Sequence, residues 1–132
     1  MSAVNTEAKK EVSAFLEKHI NGSKLSQKEI ASICGFKNYN VVSMIKRGET
    51  GVPVEKIPKM AQALDLDRAE LFEFVMSRYR PGELKAIKEV YGSPITEAER
   101  QVIKLLREII PEGHLTSNPQ HFISKIREAL TD

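Results

Sequence analysis

The sequence predicts an all-α chain, five helices followed by about three more, and three observations carry that prediction. Apolar residues recur at spacings of three, four and seven from one end to the other, the period of a helix face. Glycine and proline stand mostly singly, at the boundaries between those stretches. No segment alternates apolar and polar residues over the length of a strand, and no internal repeat is visible.

Val12, Phe15, Leu16, His19 and Ile20 line one face of a first helix, which Asn21-Gly22 is placed to stop in a left-handed turn. A second helix opens at Ser26, whose hydroxyl can cap the backbone while Glu29 reaches back from three residues on, a capping box. Ile30, Ala31 and Ile33 face inward, and Gly35 breaks the helix. A third helix of about ten residues follows from near Asn38 to Arg47 before Gly48. The segment GETGVP is a turn, because two glycines and Pro53 do not fit a helix interior.

The fourth helix carries Ile57, Met60, Ala61 and Leu64, with Pro58 admissible only in its first turn. Asp67 caps the fifth, which bears Leu71, Phe72, Phe74, Val75 and Met76 and ends near Tyr79, before Pro81-Gly82. This break divides the chain into residues 1–80 and a helical extension, 81–132. In the extension, Leu84, Ile87, Lys88, Val90 and Tyr91 predict a short helix ended by Gly92-Ser93-Pro94. Thr96 with Glu99 forms a second capping box. The helix after it supplies Val102, Ile103, Leu105, Leu106, Ile109 and Ile110, a face too wide for one neighbour to cover. The last helix runs from Asn118, with Pro119 as its first residue, through Phe122, Ile123, Ile126 and Leu130.

With 132 residues, 41% of them apolar and 29% charged, the chain has the size and composition of one globular core or one core with an appendage. Its one cysteine, Cys34, has no partner for an intramolecular disulfide or a zinc site, and reads as a small buried apolar residue in a reducing compartment. Polar residues from Ser2 to Glu11 and the lack of a long apolar run point to neither a secretory signal nor a membrane span, so the expected location is the cytoplasm. His19, His114 and His121 are scattered, no glycine-rich phosphate loop is present, and Glu97 with Glu99 is explained by helix capping. The expectation is therefore a protein that is not an enzyme and uses no metal or other cofactor.

The net charge of +2 is unevenly placed. Residues 1–80 carry +3 and residues 81–132 carry −1, while the window from Lys24 to Gly48 alone carries +4. A local basic face on a nearly neutral chain suits a defined polyanion contact.

The stretch LSQKEIASICGFKNYNVVSMIKRGE, residues 25–49, holds two short helices across a glycine turn, with small Ala31 where the first must approach the second. Ile30, Cys34, Phe36, Val42 and Ile45 lock the crossing, and the side chains left outside are of the types that read base edges and grip phosphates. This stretch resembles the helix-turn-helix of the Cro and lambda-repressor type, the XRE family, with its LSQxELAxxLG and IxxIERG pattern. The likeness continues through PVEKIPKMAQALDLDRAELF and covers roughly residues 8–76. More narrowly, FKNYNVVSMIKRGETGVPVEKIP is similar to a group of bacterial regulators with a KNPNxISMIKxGxxKVPL signature and a helical tail.

The resemblance implies a five-helix lambda-repressor-like domain that binds double-stranded DNA, most simply a repressor acting as a homodimer on a palindromic operator. It gives Gln27 a phosphate contact and a bracing role toward the recognition helix. Asn38 and Asn40 are candidates for adenine, Tyr39 for a thymine methyl or a phosphate, and Lys37, Lys46 and Arg47 for the phosphate backbone, with Thr50 a further loop candidate and Lys28 and Ser43 on the same face. Bland roles stand beside these: Asn38 as a helix cap, Lys46 and Arg47 as cations at a helix C-terminus.

One residue more than the common family spacing separates Gly35 from Gly48, so two registers are open. The resemblance favours Val42 and Ile45 in the core, since this keeps Ser43, Arg47 and Gly48 on the family's Ser and Arg-Gly positions, and Met44 then joins the groove-facing side. In the alternative register Ser43 replaces it. The extension either completes the core or forms a dimer interface. The rival reading is an antitoxin or adaptor whose residues 81–132 hold a partner protein. Tyr39 is the only aromatic on the presumed contact face, which makes an RNA-stacking platform the weaker expectation.

Overall fold

The computed structural model describes residues 5–110 and 119–131, and among these the secondary structure is entirely helical. Eight α-helices follow in order: α1 Thr6–Gly22, α2 Gln27–Cys34, α3 Asn40–Lys46, α4 Ile57–Leu64, α5 Arg68–Tyr79, α6 Pro81–Tyr91, α7 Glu97–Ile109 and α8 Pro119–Leu130, with a single 3-10 turn, Val54–Lys56, leading into α4. Asn118 and His114, singled out in the sequence, lie outside the described residues.

The apolar stripes of α1 to α5 meet in one core. Val12, Leu16 and Ile20 of α1, Ile30, Ala31 and Cys34 of α2, Val42 and Ile45 of α3, Ile57, Met60 and Ala61 of α4, and Leu71 and Val75 of α5 are buried together. Helix α2 packs on α3 and α4, α1 on α3 and α5, and α6 on α5. Residue 31 is 1% exposed between its neighbours, so the small side chain expected there is needed.

Local chemistry sets the helix ends. Ser26 and Glu29 form the capping box reciprocally, each bond 3.1 Å long. Gly35 and Gly48 take left-handed φ values of 76° and 72°. In each case the amide after the glycine returns to a carbonyl five residues back, Phe36 to Ala31 and Glu49 to Met44, a Schellman closure. Pro58 lies in the first turn of α4, where its missing N–H costs nothing. Asp65 closes α4 in the same left-handed way at φ 56°, although it is not glycine.

Three boundaries differ from the sequence expectation. Asn21-Gly22 does not stop α1 in a left-handed turn: the helix includes Gly22 and ends on extended Ser23, whose amide bonds to Ile20. Helix α3 opens at Asn40 rather than near Asn38 and ends at Lys46: Asn38 stands in the turn before the helix, its side chain accepting the Asn40 amide, and Tyr39 holds the cap position without a side-chain bond. The chain divides into compact units at 97/98 rather than at 80/81, since α6 buries Leu84 and ties Lys88 to Glu73 of α5.

The first unit therefore spans residues 1–97. In it Asp67 accepts the amides of Ala69 and Glu70, capping α5 as expected, and its second oxygen accepts the amide of Glu97 at 3.1 Å. These amide donors hold its carboxyl below the usual aspartate range, Glu70 contributing most. The second unit, residues 98–132, contains most of α7 and all of α8. No helix among the described residues is long and apolar enough to cross a membrane.

Candidate nucleic-acid interface

Helix α3 is seven residues long, too short to hold itself in water, so its neighbours must fix it. Val42 and Ile45 are fully buried, which selects the register in which Met44 and Ser43 lie at the half-buried margin. The start of the helix is set by the Asn38 side-chain oxygen, which accepts the Asn40 amide at 2.9 Å. Its end is set from outside: the buried hydroxyl of Ser13 on α1 donates to the Lys46 carbonyl at 2.5 Å.

A second tie runs across to α2. The Ser43 hydroxyl donates to Gln27 Oε1 at 2.5 Å, so Gln27, at the first turn of α2, does brace α3. The bond uses the amide carbonyl and leaves the Gln27 NH2 to donate outward. Beside it, the ammonium of Lys28 lies 5.5 Å from the centre of the Tyr39 ring, a cation–π contact that steadies an aromatic side chain 54% exposed to solvent.

The result is a row of exposed side chains, Lys37, Asn38, Tyr39 and Asn40, at the leading end of α3, with Lys28 alongside. Met44, Lys46 and Thr50 are half-buried and Arg47 is exposed. Asn38 has committed its carbonyl to the turn, so it cannot also offer a free bidentate amide, whereas no side-chain bond engages Asn40 among the described residues.

Arg47 departs from the sequence reading. It is not a free cation: its Nε and Nη2 bond to the two carboxylate oxygens of Glu49 at 2.8 and 3.2 Å. The pairing raises the arginine pKa and lowers that of Glu49. Glu49 is the functional candidate that sequence reading missed. Its position two residues beyond Arg47, with glycine between them, is the signal that could have found it.

In the first unit every arginine is paired, and so is Lys88, with Glu73, but the lysines of the basic window are not. Arg47, Arg68, Arg78 and Arg80 are paired with Glu49, Glu97, Glu11 and Glu83. Lys24, Lys28, Lys37 and Lys46, the lysines of the basic window, make no ion pair among the described residues. The positive field of this segment is thus left to lysines that no carboxylate neutralises.

Cys34 is 1% exposed, and burial pushes its thiol pKa up against the opposing pull of the Lys56 ammonium. A neutral, sealed thiol is structural here. No protein-family model, curated protein or solved structure matches the chain.

Proposed function

We propose that this chain is a sequence-specific double-stranded DNA-binding transcriptional regulator, a repressor that occupies a palindromic operator as a dimer. The observation that carries the reading is the α2–α3 pair: a short helix buried by Val42 and Ile45, braced by Gln27 and Ser43, presenting Tyr39 and Asn40 beside unpaired lysines. In this reading α2 and α3 form a helix-turn-helix whose second helix enters the major groove. Asn40 reads a base edge through its free amide, Gln27 and Lys28 meet phosphates at the start of α2, and Lys37 and Lys46 grip the backbone to either side.

A second reading, an antitoxin or adaptor whose extension holds another protein, rests on the exposed apolar side chains of α7 and α8. A cognate protein that co-purifies through residues 81–132 favours it. The test of the first reading is selection of bound fragments from random duplex DNA. A motif with two-fold symmetry and half-sites about one helical turn apart, roughly 34 Å, is the expected result, and no enrichment overturns the reading. Asn40→Ala then relaxes preference at one base position, while Lys37→Ala weakens binding to all sequences and reduces the salt slope by about one unit.

A further inference from the structure

The loop that leaves α3 rests on the last turn of α5. The Val52 amide donates to the Tyr79 hydroxyl oxygen at 3.0 Å. The ring lies so close to the neighbouring backbone that a Cβ at position 51 would stand 3.1 Å from that oxygen and 3.3 Å from the ring carbon bearing it, an approach that Gly51 allows. Beside this contact, inside the first unit, opens a cavity of about 550 Å3, the size of a small-molecule site. It is bordered by α1, the loop and the corner between α5 and α6.

The lining combines apolar surface with a few polar groups. Val52 and Met76 are the buried apolar members. Arg80 and Glu83 pair with each other at 3.1 Å. Lys9 and Glu55 line the same cavity, and among the described residues neither enters an ion pair, with the other or with anything else. Two opposite charges thus border one space without neutralising each other. Tyr79 adds a donor: its oxygen takes the Val52 amide, and its proton meets no acceptor among the described residues. Burial pushes the tyrosine pKa up, so that proton stays on at neutral pH.

We propose that this cavity is a binding site for a free α-amino acid with an apolar side chain. The ligand carboxylate takes the Lys9 ammonium and the Tyr79 proton, its ammonium meets Glu55, and its side chain covers Val52 and Met76. A plain anion is repelled by Glu55 and a plain amine by Lys9, whereas a zwitterion satisfies both. The loop that borders the cavity also carries Glu49 and Thr50 at the edge of the proposed DNA surface, so an occupant steadies that edge through Tyr79 and Val52. This last consequence rests on the DNA-binding reading. Occupancy of the cavity does not, and it is read on the free chain, so the two fail separately.

The test is titration of the full isotope-labelled chain with L-leucine, L-methionine and L-phenylalanine, up to millimolar concentration, followed by amide NMR. At least one of them is expected to give a saturable shift at Gly51 and Val52, with the Val52 amide proton moving downfield as the polarised Tyr79 oxygen accepts it more strongly. The amino acid that binds, stripped of its amine or of its carboxylate (isocaproate and isoamylamine in the case of leucine), binds at least about tenfold more weakly to the unaltered chain. Lys9→Met and Glu55→Gln lose affinity by a similar factor, with core amide shifts unchanged. No shift at Gly51 or Val52 with any of the three overturns the proposal, as do stripped analogues that bind as tightly as the amino acid, or wild-type affinity in either variant.

Discussion

Arg47 and Glu49 face each other at the edge of the proposed DNA surface, both exposed, joined by two hydrogen bonds. Exposed ion pairs add little to stability, so the pair matters for what it does to a phosphate contact. Glu49 competes for the guanidinium and adds a negative charge beside an incoming anion. Glu49→Gln is expected to tighten binding to any duplex several-fold and to steepen its salt slope by about one unit. In an Arg47→Ala background the same change gives a smaller gain, which a fluorescence-anisotropy salt titration of the four proteins measures. A second residue-scale consequence lies at Asp65, a non-glycine side chain in the left-handed region at the end of α4. Asp65→Gly removes that strain and is expected to raise stability by about 0.5–1 kcal/mol in urea unfolding.

At the scale of elements, α3 is short enough that its packing and its function cannot be separated. Ile45→Ala hollows the core beneath the proposed recognition surface and is expected to cost about 2–5 kcal/mol, whereas Met44→Ala, one position earlier, costs under about 1 kcal/mol. Equal losses at the two sites in chemical denaturation would mean that the register is wrong. Sequence periodicity located α3 but could not choose between adjacent apolar pairs, Val41-Val42 and Met44-Ile45, because both fit a helix face. What chose was contact with α1 and α2, information that is not local. The capping box at Ser26 and the stops at Gly35 and Gly48 were legible because a side chain and its own backbone decide them. Asn38 was half legible: its type suited either a base or a cap, and the 2.9 Å bond to the Asn40 amide makes it a turn residue one position before the cap, Tyr39. The ion pair that engages Arg47 was written in the sequence as well, but a carboxylate two residues away pairs only if the intervening turn folds it back, as Gly48 does.

At the scale of the whole molecule, the sequence break at Pro81-Gly82 reads as a domain boundary, yet α6 stays on α5 and the division comes sixteen residues or so later. A proline in the first turn begins a helix as readily as it ends a domain, so composition alone does not distinguish the two. Three carboxylates in the first unit, Glu29, Glu49 and Asp67, are held below their ordinary range, each by hydrogen bonds that exist only when folded. A depressed folded pKa contributes stability that is fully present above the ordinary carboxylate range and is lost as pH falls through it. The melting temperature is therefore expected to be flat between about pH 6 and 8 and to drop below about pH 4. Asp67→Asn, which can still accept an amide, makes the acid drop shallower in thermal scans.

The burial of Cys34 gives the molecule a clock. Because its one thiol is enclosed by the helices that hold α3, a thiol reagent reaches it only when that assembly opens, and the labelling rate counts the openings. A ligand that binds the closed form lowers the count in proportion to its occupancy. Native-state thiol labelling, with and without duplex DNA, is therefore expected to slow severalfold on binding, and the chain reports its own engagement through an atom that touches no nucleic acid.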